Sequence, residues 1–356
     1  MRTVVVVQAR TGSSRLPGKT LLPLAGRPLL QRMVERVMTA GRPNDVVIAT
    51  TTAPEDDPIR GIAAAMGVPC HSGHPTDLLD RHLGAARSRR ADIVVKIPSD
   101  CPLISPAAID RVLDAYLDAP DDCDYCSNLH PATWPDGNDV EVLPMRVLAL
   151  AHARAERNYE REHTTPYIWD RPARFRLRNV AWETGRDCSM THRFTVDYEE
   201  DHRFVAAVYQ HLWSATRPIF TLADILALLE ARPDLAAINA QYCGVNWYRH
   251  HLNELMTGRT DPVTPSSQGC KECLETGDPW VHLRICLTCG HVGCCDSSPN
   301  KHASRHFHQT HHPVVKSFEP GESWAWCYAD KDMVQAIPSF PEESPGQHYV
   351  SPGEPW

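Results

Sequence analysis

Three cationic side chains surround a short run of glycine and serine near the start of the chain. Arg10, Arg15 and Lys19 flank the run Gly12-Ser13-Ser14. The backbone N–H groups and hydroxyls of such a loop can surround phosphate oxygens, and the cations neutralise their charge. The loop directly follows four valines at positions 4–7, a pattern that predicts a strand buried on both faces. The sequence therefore predicts a phosphate-binding loop at the carboxyl end of the first strand.

This loop differs from a P-loop, although it contains the ending Gly18-Lys19-Thr20. A P-loop has four residues between its two glycines, and Ser13 occupies the position where the first glycine is needed. Pro23 follows shortly afterwards, and a proline there would interrupt the helix whose N-terminus a P-loop uses. The phosphate-binding hypothesis therefore needs a different signature.

Two aspartates are candidates for holding a metal ion beside the phosphates. Asp100 follows the strand-like run 93–97, and Asp197 follows a second such run at 193–196. Ligands of open α/β sheets bind beyond the carboxyl ends of the strands, where both carboxylates would lie. Mg²⁺ is usually bound through one or two carboxylates together with substrate phosphates. We therefore expect Asp100 and Asp197 to hold Mg²⁺ against phosphate oxygens.

Cysteine and histidine are concentrated in the last part of the chain. The final 96 residues hold seven of the 13 cysteines and eight of the 19 histidines. Paired C-x2-C spacing is typical of closed, tetrahedral structural zinc sites. Enough ligands for two such sites fall between positions 270 and 312, namely Cys270, Cys273, Cys286, Cys289, Cys294, His302, His306 and His312. A module of roughly 60 residues has a thin core, so zinc would supply much of its folding free energy.

Strand-like and helical patterns alternate through the first half of the chain. This alternation predicts βαβ units and a mixed, mainly parallel sheet with flanking helices. The clearest strands are 4–7, 46–50 and 93–97, and the clearest helices are 29–38, 58–66, 76–88 and 222–229. The polar segment 257–269 predicts a linker, and the proline-rich tail 336–356 predicts disorder. We therefore expect an α/β domain over 1–256 and a small α+β zinc-binding domain over 270–335.

The overall charge and hydrophobicity exclude some classes of partner. The formal net charge is −8, which gives no basic surface for nucleic acid. We expect no signal peptide, and no stretch approaches the ~18 apolar residues that a membrane span requires. The expectation is a cytoplasmic protein that binds neither nucleic acid nor membrane. In a reducing cytosol, clustered cysteines are metal ligands rather than disulfides. Whether the protein is a homodimer stays open.

Several segments resemble one family of sugar-activating enzymes. The opening resembles cytidylyltransferases that act on acidic sugars, and more closely their spore-coat polysaccharide biosynthesis F relatives, with the pattern QAR-x-GS-x-RLPGK-x-LLPL-x-G-x-PLL. Further matching segments are 98–104, 136–142, 160–167 and 195–201. Ser99 replaces the family's usual glycine before Asp100. The resemblance implies a GT-A-like fold of the nucleotide-diphospho-sugar transferase type. It also implies transfer of CMP from CTP to an acidic or amino sugar, with release of pyrophosphate, for surface polysaccharide or glycoconjugate synthesis.

The resemblance also implies roles for individual residues. Asp100 and Asp197 hold Mg²⁺ in this interpretation, and the three cations of the loop bind the charge that develops on pyrophosphate. Assigned to the nucleotide are Gly12, Ser13, Ser14, Ser72, Gly73 and Asp77. Assigned to the sugar are Asp139, Glu141, Arg161 and His163. No general base is assigned. Two alternatives remain open: a catalytically weakened scaffold that binds nucleotide-sugars, and a glycosyltransferase.

The frame around the cysteines and histidines resembles a UBP-type zinc finger, a ubiquitin-tail-binding module. The family's ligand order implies one site of Cys270, Cys273, Cys294 and His302, and a second of Cys286, Cys289, His306 and His312. Asp330 stands where a further site would have its last cysteine, so we expect two zinc ions.

The same resemblance identifies a possible peptide pocket in the finger. Trp326 and Tyr328 match its aromatic wall, but Asp296 stands where the family has the arginine that binds the tail carboxylate. We therefore expect free ubiquitin to bind weakly or not at all. A protein- or peptide-binding role and a purely structural role both stay open.

Overall fold

The computed structural model describes residues 1–244, 263–310, 312–319, 322, 324–328 and 332–334. The chain divides into two compact units, Met1–Gly244 and Val245–Trp356. The predicted tail, Asp330 and positions 257–262 of the predicted linker lie outside the described residues. None of the described helices combines the length and the apolarity needed to cross a lipid bilayer.

The first unit is built on a seven-stranded mixed sheet. Its strands are β1 (Thr3–Gln8), β4 (Asp45–Thr51), β5 (Cys70–Gly73), β6 (Ile93–Pro98), β7 (Tyr125–Ser127), β8 (Glu141–Pro144) and β9 (Leu177–Asn179), in the order β5-β4-β1-β6-β8-β7-β9. A separate hairpin is formed by β2 (Pro23–Leu24) and β3 (Arg27–Pro28). Strands β5, β4, β1 and β6 are parallel, whereas β8 runs antiparallel to both of its neighbours. The predicted strands at 4–7, 46–50 and 93–97 and the mainly parallel α/β fold are confirmed.

Helices connect and cover this sheet. They are α1 (Leu29–Val37), α2 (Asp57–Met66), α3 (Leu78–Ser88), α4 (Pro106–Leu117), α5 (Met145–Arg154), α6 (Asn158–His163), α7 (Pro166–Trp169), α8 (Glu199–Leu212), α9 (Leu222–Ala231) and α10 (Pro233–Ala236). The helix predicted from residue 76 begins at Leu78, because the side chain of Asp77 caps its N-terminus by accepting a hydrogen bond from the Asp80 backbone N–H.

The core of the first unit explains the apolar opening of the chain. All four valines of β1 are fully buried, since the strand lies in the middle of the sheet. Val5 and Val7 pack in the same apolar cluster as Leu30 and Met33 of α1. The carboxyl end of β1 is thereby fixed, and the predicted phosphate loop begins there.

The second unit holds a five-stranded antiparallel sheet and two described helices. The strands are β10 (Leu283–Cys286), β11 (Val292–Cys294), β12 (Val314–Ser317), β13 (Ala325–Cys327) and β14 (Asp332–Val334), in the order β11-β10-β12-β13-β14. The helices are α11 (Lys271–Thr276) and α12 (His302–Thr310). The expected small α+β architecture is confirmed.

The described part of the predicted linker, 263–269, lies against this sheet. The Ser266 backbone N–H donates to the Gly290 carbonyl at 2.8 Å, and the Ser266 hydroxyl accepts from the Val292 N–H at 3.0 Å. Gly290 has a φ of +80°, and a Cβ there would lie 2.0 Å from the carbonyl oxygen of Thr264. Glycine at 290 therefore allows the segment to approach the hairpin.

Candidate active site and metal-binding clusters

Lys19 lies at the centre of the candidate active site. Its ammonium Nζ is 2.7 Å from Oδ2 of Asp100, 2.9 Å from Oδ1 of Asp197 and 2.9 Å from the Val196 carbonyl oxygen. The side chain of Lys19 is only 11% exposed. Gly18 precedes it with a φ of +69°, a conformation that favours glycine. The structure thus brings together the three residues predicted from separate segments.

Electrostatics keep this cluster charged. Burial acts to lower the pKa of Lys19, but Asp100 and Asp197 outweigh it and raise the pKa above its usual value. Burial acts to raise the pKa of Asp197, but Lys19, Arg15 and Arg193 together lower it. Arg15 lies 2.6 Å from Oδ1 of Asp197. The ammonium and the carboxylate are therefore both ionised at neutral pH.

Arg193 is a buried cation that contacts the cluster. It was not identified as a site residue from the sequence. Its guanidinium, with a side chain only 1% exposed, lies 3.3 Å from Asp136 and 3.0 Å from each of Asp197 and Asp201. Asp201 also accepts the backbone N–H of Asp197 at 2.9 Å and of Tyr198 at 3.0 Å. The sequence feature that could have identified Asp201 is its position four residues after Asp197, in the first turn of α8. Together these contacts fix the direction of the Asp197 carboxylate.

The arrangement fits a divalent cation. Asp100 follows β6 and Asp197 precedes α8, yet both carboxylates converge on one cationic atom. Hard cations such as Mg²⁺ bind carboxylate oxygens and keep further positions for water and phosphate. Asp100 and Asp197 have the donor type and the convergence that such an ion requires.

The predicted phosphate loop is held by its own backbone. The N–H groups of Ser13 and Gly18 both donate to the Thr11 carbonyl at 2.9 Å, which closes the loop. Gly12 and Ser14 are exposed, and Ser13 is half-buried. Arg10 lies 3.8 Å from Glu162 of α6. The predicted nucleotide groups of the loop are thus accessible.

Asp56 anchors the start of the loop. This buried carboxylate accepts the Thr11 backbone N–H at 2.7 Å, the Thr11 hydroxyl at 2.8 Å and the Thr51 hydroxyl. Burial acts to raise its pKa, but these hydrogen bonds lower it. Asp56 lies 45 residues from Thr11, and no local pattern pointed to this contact.

The residues predicted to face the base and ribose lie at β5 and the start of α3. Ser72 is exposed in β5, and a Cβ on Gly73 would lie 3.0 Å from Cγ of Arg81. Asp77 uses both carboxylate oxygens, one as the cap of α3 and one in an ion pair with Arg161 at 2.7 Å. Arg161, predicted for the sugar, is therefore placed beside Asp77, predicted for the nucleotide.

The remaining sugar-side residues lie in different surroundings. Glu141 is 3% exposed, and its two oxygens accept from the Lys96 ammonium and from the Tyr125 hydroxyl at 2.7 Å. Asp139 accepts the Gly137 N–H at 3.3 Å, and burial, together with the charge of Asp100, raises its pKa. Half-buried His163 ends α6. Lys96, which sequence reasoning missed, is the cation next to Glu141.

In the second unit, one group of four Cys and His side chains surrounds Nδ1 of His302. This atom lies 3.1 Å from Sγ of Cys270, 3.3 Å from Cys273 and 3.5 Å from Cys294. All four ligand atoms lie within 4.8 Å of one another. Zn–S and Zn–N bonds in a tetrahedron place ligand atoms about 3.5 to 3.8 Å apart. The spacing therefore suits zinc.

The second group contains Cys286, Cys289, His306 and His312, also within 4.8 Å of one another. Sγ of Cys289 lies 3.3 Å from Nε2 of His306. Among the described residues, Nδ1 of His312 is buried without a hydrogen-bond partner. His291 stacks on His306 with 4.1 Å between ring centroids. These features suit a second zinc ion.

The two residues of the predicted aromatic wall lie in and directly after β13 of the second unit. Trp326 is half-buried in β13, and Tyr328, also half-buried, lies in the turn that follows this strand. The Tyr328 ring stacks on Phe307 of α12 with 5.4 Å between centroids. Burial raises the pKa of Tyr328 to about 12, and Asp296 contributes to the shift. Asp296 is thus close enough to act electrostatically on this wall.

Charged groups lie around the same wall. Asp296 is exposed and accepts a hydrogen bond from the Ser304 hydroxyl. The Arg284 guanidinium lies 4.4 Å above the ring of Trp324. The charge of Arg284 also acts on Tyr328, whose pKa it lowers.

Comparisons with known proteins agree with this geometry. A family model described as "Cytidylyltransferase" matches residues 4–232, and one described as "Zn-finger in ubiquitin-hydrolases and other protein" matches residues 270–338. The spore coat polysaccharide biosynthesis protein SpsF of Bacillus subtilis is 29% identical over 236 residues, which are 65% of this chain and 95% of that protein. A 3-deoxy-manno-octulosonate cytidylyltransferase of Trichlorobacter lovleyi is 35% identical over 120 residues, 34% of this chain and 47% of that protein.

A solved structure supports the same assignment. The structure of a cytidylyltransferase from Leptospira borgpetersenii has a TM-score of 0.63 and 30% identity to this chain, and covers 66% of this chain and 97% of that one. The first family model alone spans more than half of the chain. The resemblance inferred from the sequence is confirmed. The chain therefore belongs to the cytidylyltransferase family and carries, in its C-terminal part, a zinc finger of the kind found in ubiquitin hydrolases.

Proposed function

We propose that this cytoplasmic protein transfers CMP from CTP to an acidic or amino sugar and releases pyrophosphate, in the synthesis of surface polysaccharides or glycoconjugates. The observation that carries the proposal is the position of Lys19 between Asp100 and Asp197 at the carboxyl edge of the sheet. The names of the two relatives, one a spore coat polysaccharide protein and one acting on 3-deoxy-manno-octulosonate, support a sugar acceptor.

In the proposed reaction, an oxygen of the sugar attacks the α-phosphorus of CTP. The new bond joins that oxygen to the α-phosphorus, and the bond from the α-phosphorus to the bridging oxygen breaks. Pyrophosphate leaves with the electron pair, and the hydroxyl proton is released to solvent. Such transfers are catalysed mainly by positioning and by neutralising charge.

The cations of the loop bind the departing pyrophosphate. Arg15 and Lys19 lie beside Asp197, and Arg10 lies near Glu162. Asp100 and Asp197 are the residues that would hold Mg²⁺. When bound, this ion neutralises triphosphate charge and orients the phosphates. The intact cluster favours an enzyme over a weakened scaffold.

The proposal is tested by measuring pyrophosphate release from CTP and Mg²⁺ with a panel of sugar acids and amino sugars. In Asp100→Asn and Lys19→Ala, we expect kcat/KM to fall at least about 30-fold, or ~2 kcal/mol, the scale of one well-placed electrostatic group. Asp118→Asn and Lys271→Ala change the same residue types at exposed positions and should keep the parent rate. Parent rates in both active-site variants would refute the assigned site.

We further propose that both Cys/His clusters hold structural zinc and that the finger docks a protein or peptide partner. The spacing of the ligand atoms supports the zinc, and the aromatic wall at Trp326 and Tyr328 supports a partner. Asp296 would repel a free carboxylate tail. The partner is therefore expected to present a group other than a terminal carboxylate.

A further inference from the structure

Arg81 joins the end of β1 to the loop that precedes α3. It is completely buried, and its guanidinium donates to the carbonyl oxygens of His74 and Pro75, each at 2.9 Å. The same guanidinium donates to Oε1 of Gln8 at 3.4 Å. Burial lowers the pKa of Arg81 to about 10, so the group stays charged at neutral pH. Arg81 therefore holds Gln8 and the loop in a fixed relation.

This contact determines which way the Gln8 amide points. Arginine has only donors, so the atom that faces Arg81 must be the carbonyl oxygen of the glutamine side chain. The amide nitrogen Nε2 is then turned away from Arg81 with its two N–H donors. Gln8 is half-buried, and its backbone lies between Ala49 of β4 and Pro98 of β6. Its donors thus lie at the carboxyl edge of the sheet.

Gln8 also immediately precedes the phosphate loop. Arg10 follows two residues later, and Lys19 closes the far end of that loop. The family resemblance assigns the phosphates to this loop and the base and ribose to the segment 72–77, which carries His74 and Pro75. Gln8 is the polar side chain that connects these two regions.

We propose that Gln8 reads the base of the nucleotide by donating from Nε2 to N3 of cytosine, and that Arg81 is the positioning residue that orients its amide. This inference rests on the proposed use of CTP. Cytosine has acceptors at both O2 and N3, whereas N3 of uracil carries a hydrogen. With UTP, an N–H of the Gln8 amide would face the N3–H of uracil. Neither hydrogen would have an acceptor, so UTP is rejected.

The test is calorimetric titration of the full chain with CTP and with UTP in the presence of Mg²⁺. The parent should prefer CTP. Gln8→Met keeps the length of the side chain without its donors, and the CTP:UTP affinity ratio should fall on the order of tenfold, the effect of one hydrogen bond. Gln8→Glu replaces the donors by acceptors that can bind the N3 hydrogen of uracil, so its ratio should fall further. Arg81→Lys should also lower the ratio, because a single ammonium cannot hold the two carbonyls and the amide together.

Matched controls separate base reading from a structural role. Gln31→Met on α1, where Gln31 bonds Glu35 at 3.0 Å, and Arg87→Lys at an exposed position of α3 should keep the parent ratio. Loss of structure would weaken both nucleotides equally, so the ratio reports the base alone. A parent preference for CTP that is unchanged in both Gln8 variants would overturn this inference and leave the proposed function standing. A parent that binds neither nucleotide, or prefers UTP, would overturn both.

Discussion

His82 should make the stability of the first unit depend on pH. It lies in α3, completely buried, and its ring Nδ1 contacts the Leu78 carbonyl oxygen at 2.8 Å. Among the described residues, Nε2 of the same ring is buried without a partner. Burial, with a further contribution from Lys96, lowers the pKa of His82 to about 3. The folded protein therefore keeps this imidazole neutral.

The expected size follows from linkage between proton binding and folding. Unfolded histidine has a pKa of about 6.5, so between that value and the folded pKa only the unfolded chain binds the proton. The stability contribution is complete above the unfolded pKa and is lost as the pH falls towards the folded pKa. Between pH 7 and pH 5 the free energy of unfolding should drop by about 2 kcal/mol from this group alone.

The assay is urea unfolding of the parent and of His82→Leu at both pH values, followed by tryptophan fluorescence. All other titrating groups are shared, so the difference between the two proteins isolates His82. His211→Leu is the matched control, because Nδ1 of His211 makes the same contact with the carbonyl four residues earlier, at 2.8 Å from Ala207, but the residue is exposed. His211→Leu should follow the parent. If His82→Leu loses as much stability on acidification as the parent does, the reasoning about the buried imidazole is wrong.

Three further predictions concern the phosphate loop and the finger. Asp56→Asn should raise the KM for CTP about tenfold, since an amide cannot replace the charge-assisted hydrogen bonds to Thr11. Asp57→Asn, at the exposed neighbouring position, should match the parent. Equal KM values in the two variants would contradict the anchoring role of Asp56. Elemental analysis of metal-replete protein should give two zinc ions per chain, and chelation should unfold the finger; one or three equivalents would contradict the two-cluster assignment. Free ubiquitin should bind weakly or not at all by calorimetry. Asp296→Arg should improve any measurable binding, because the change replaces a repulsive carboxylate by a bidentate donor. Micromolar affinity in the parent would show that other groups bind the tail, and Arg284 would be the first to test.

The sequence by itself determined the features that depend on neighbours along the chain. Successive side chains of a strand point to opposite faces of the sheet, so four consecutive valines predict that both faces of β1 are buried. The alternation of strand-like and helical patterns predicts the mainly parallel sheet. The C-x2-C pairs predict metal ligands because two cysteines at that spacing can reach one ion. The segment matches likewise predicted the family, which the comparisons confirm.

Only the tertiary structure decided which distant groups meet. Lys19 contacts Asp100 and Asp197 across 81 and 178 residues of chain, because β6 lies next to β1 in the sheet and the Val196 N–H donates to the Asp100 carbonyl at 2.8 Å. The order of strands likewise sets Gln8 against Arg81, 73 residues away. It also gave Arg161 a partner in Asp77 rather than a place beside Glu141. Local periodicity carries no information about such pairings, since they depend on how the whole sheet is assembled and on which buried charges must then neutralise one another.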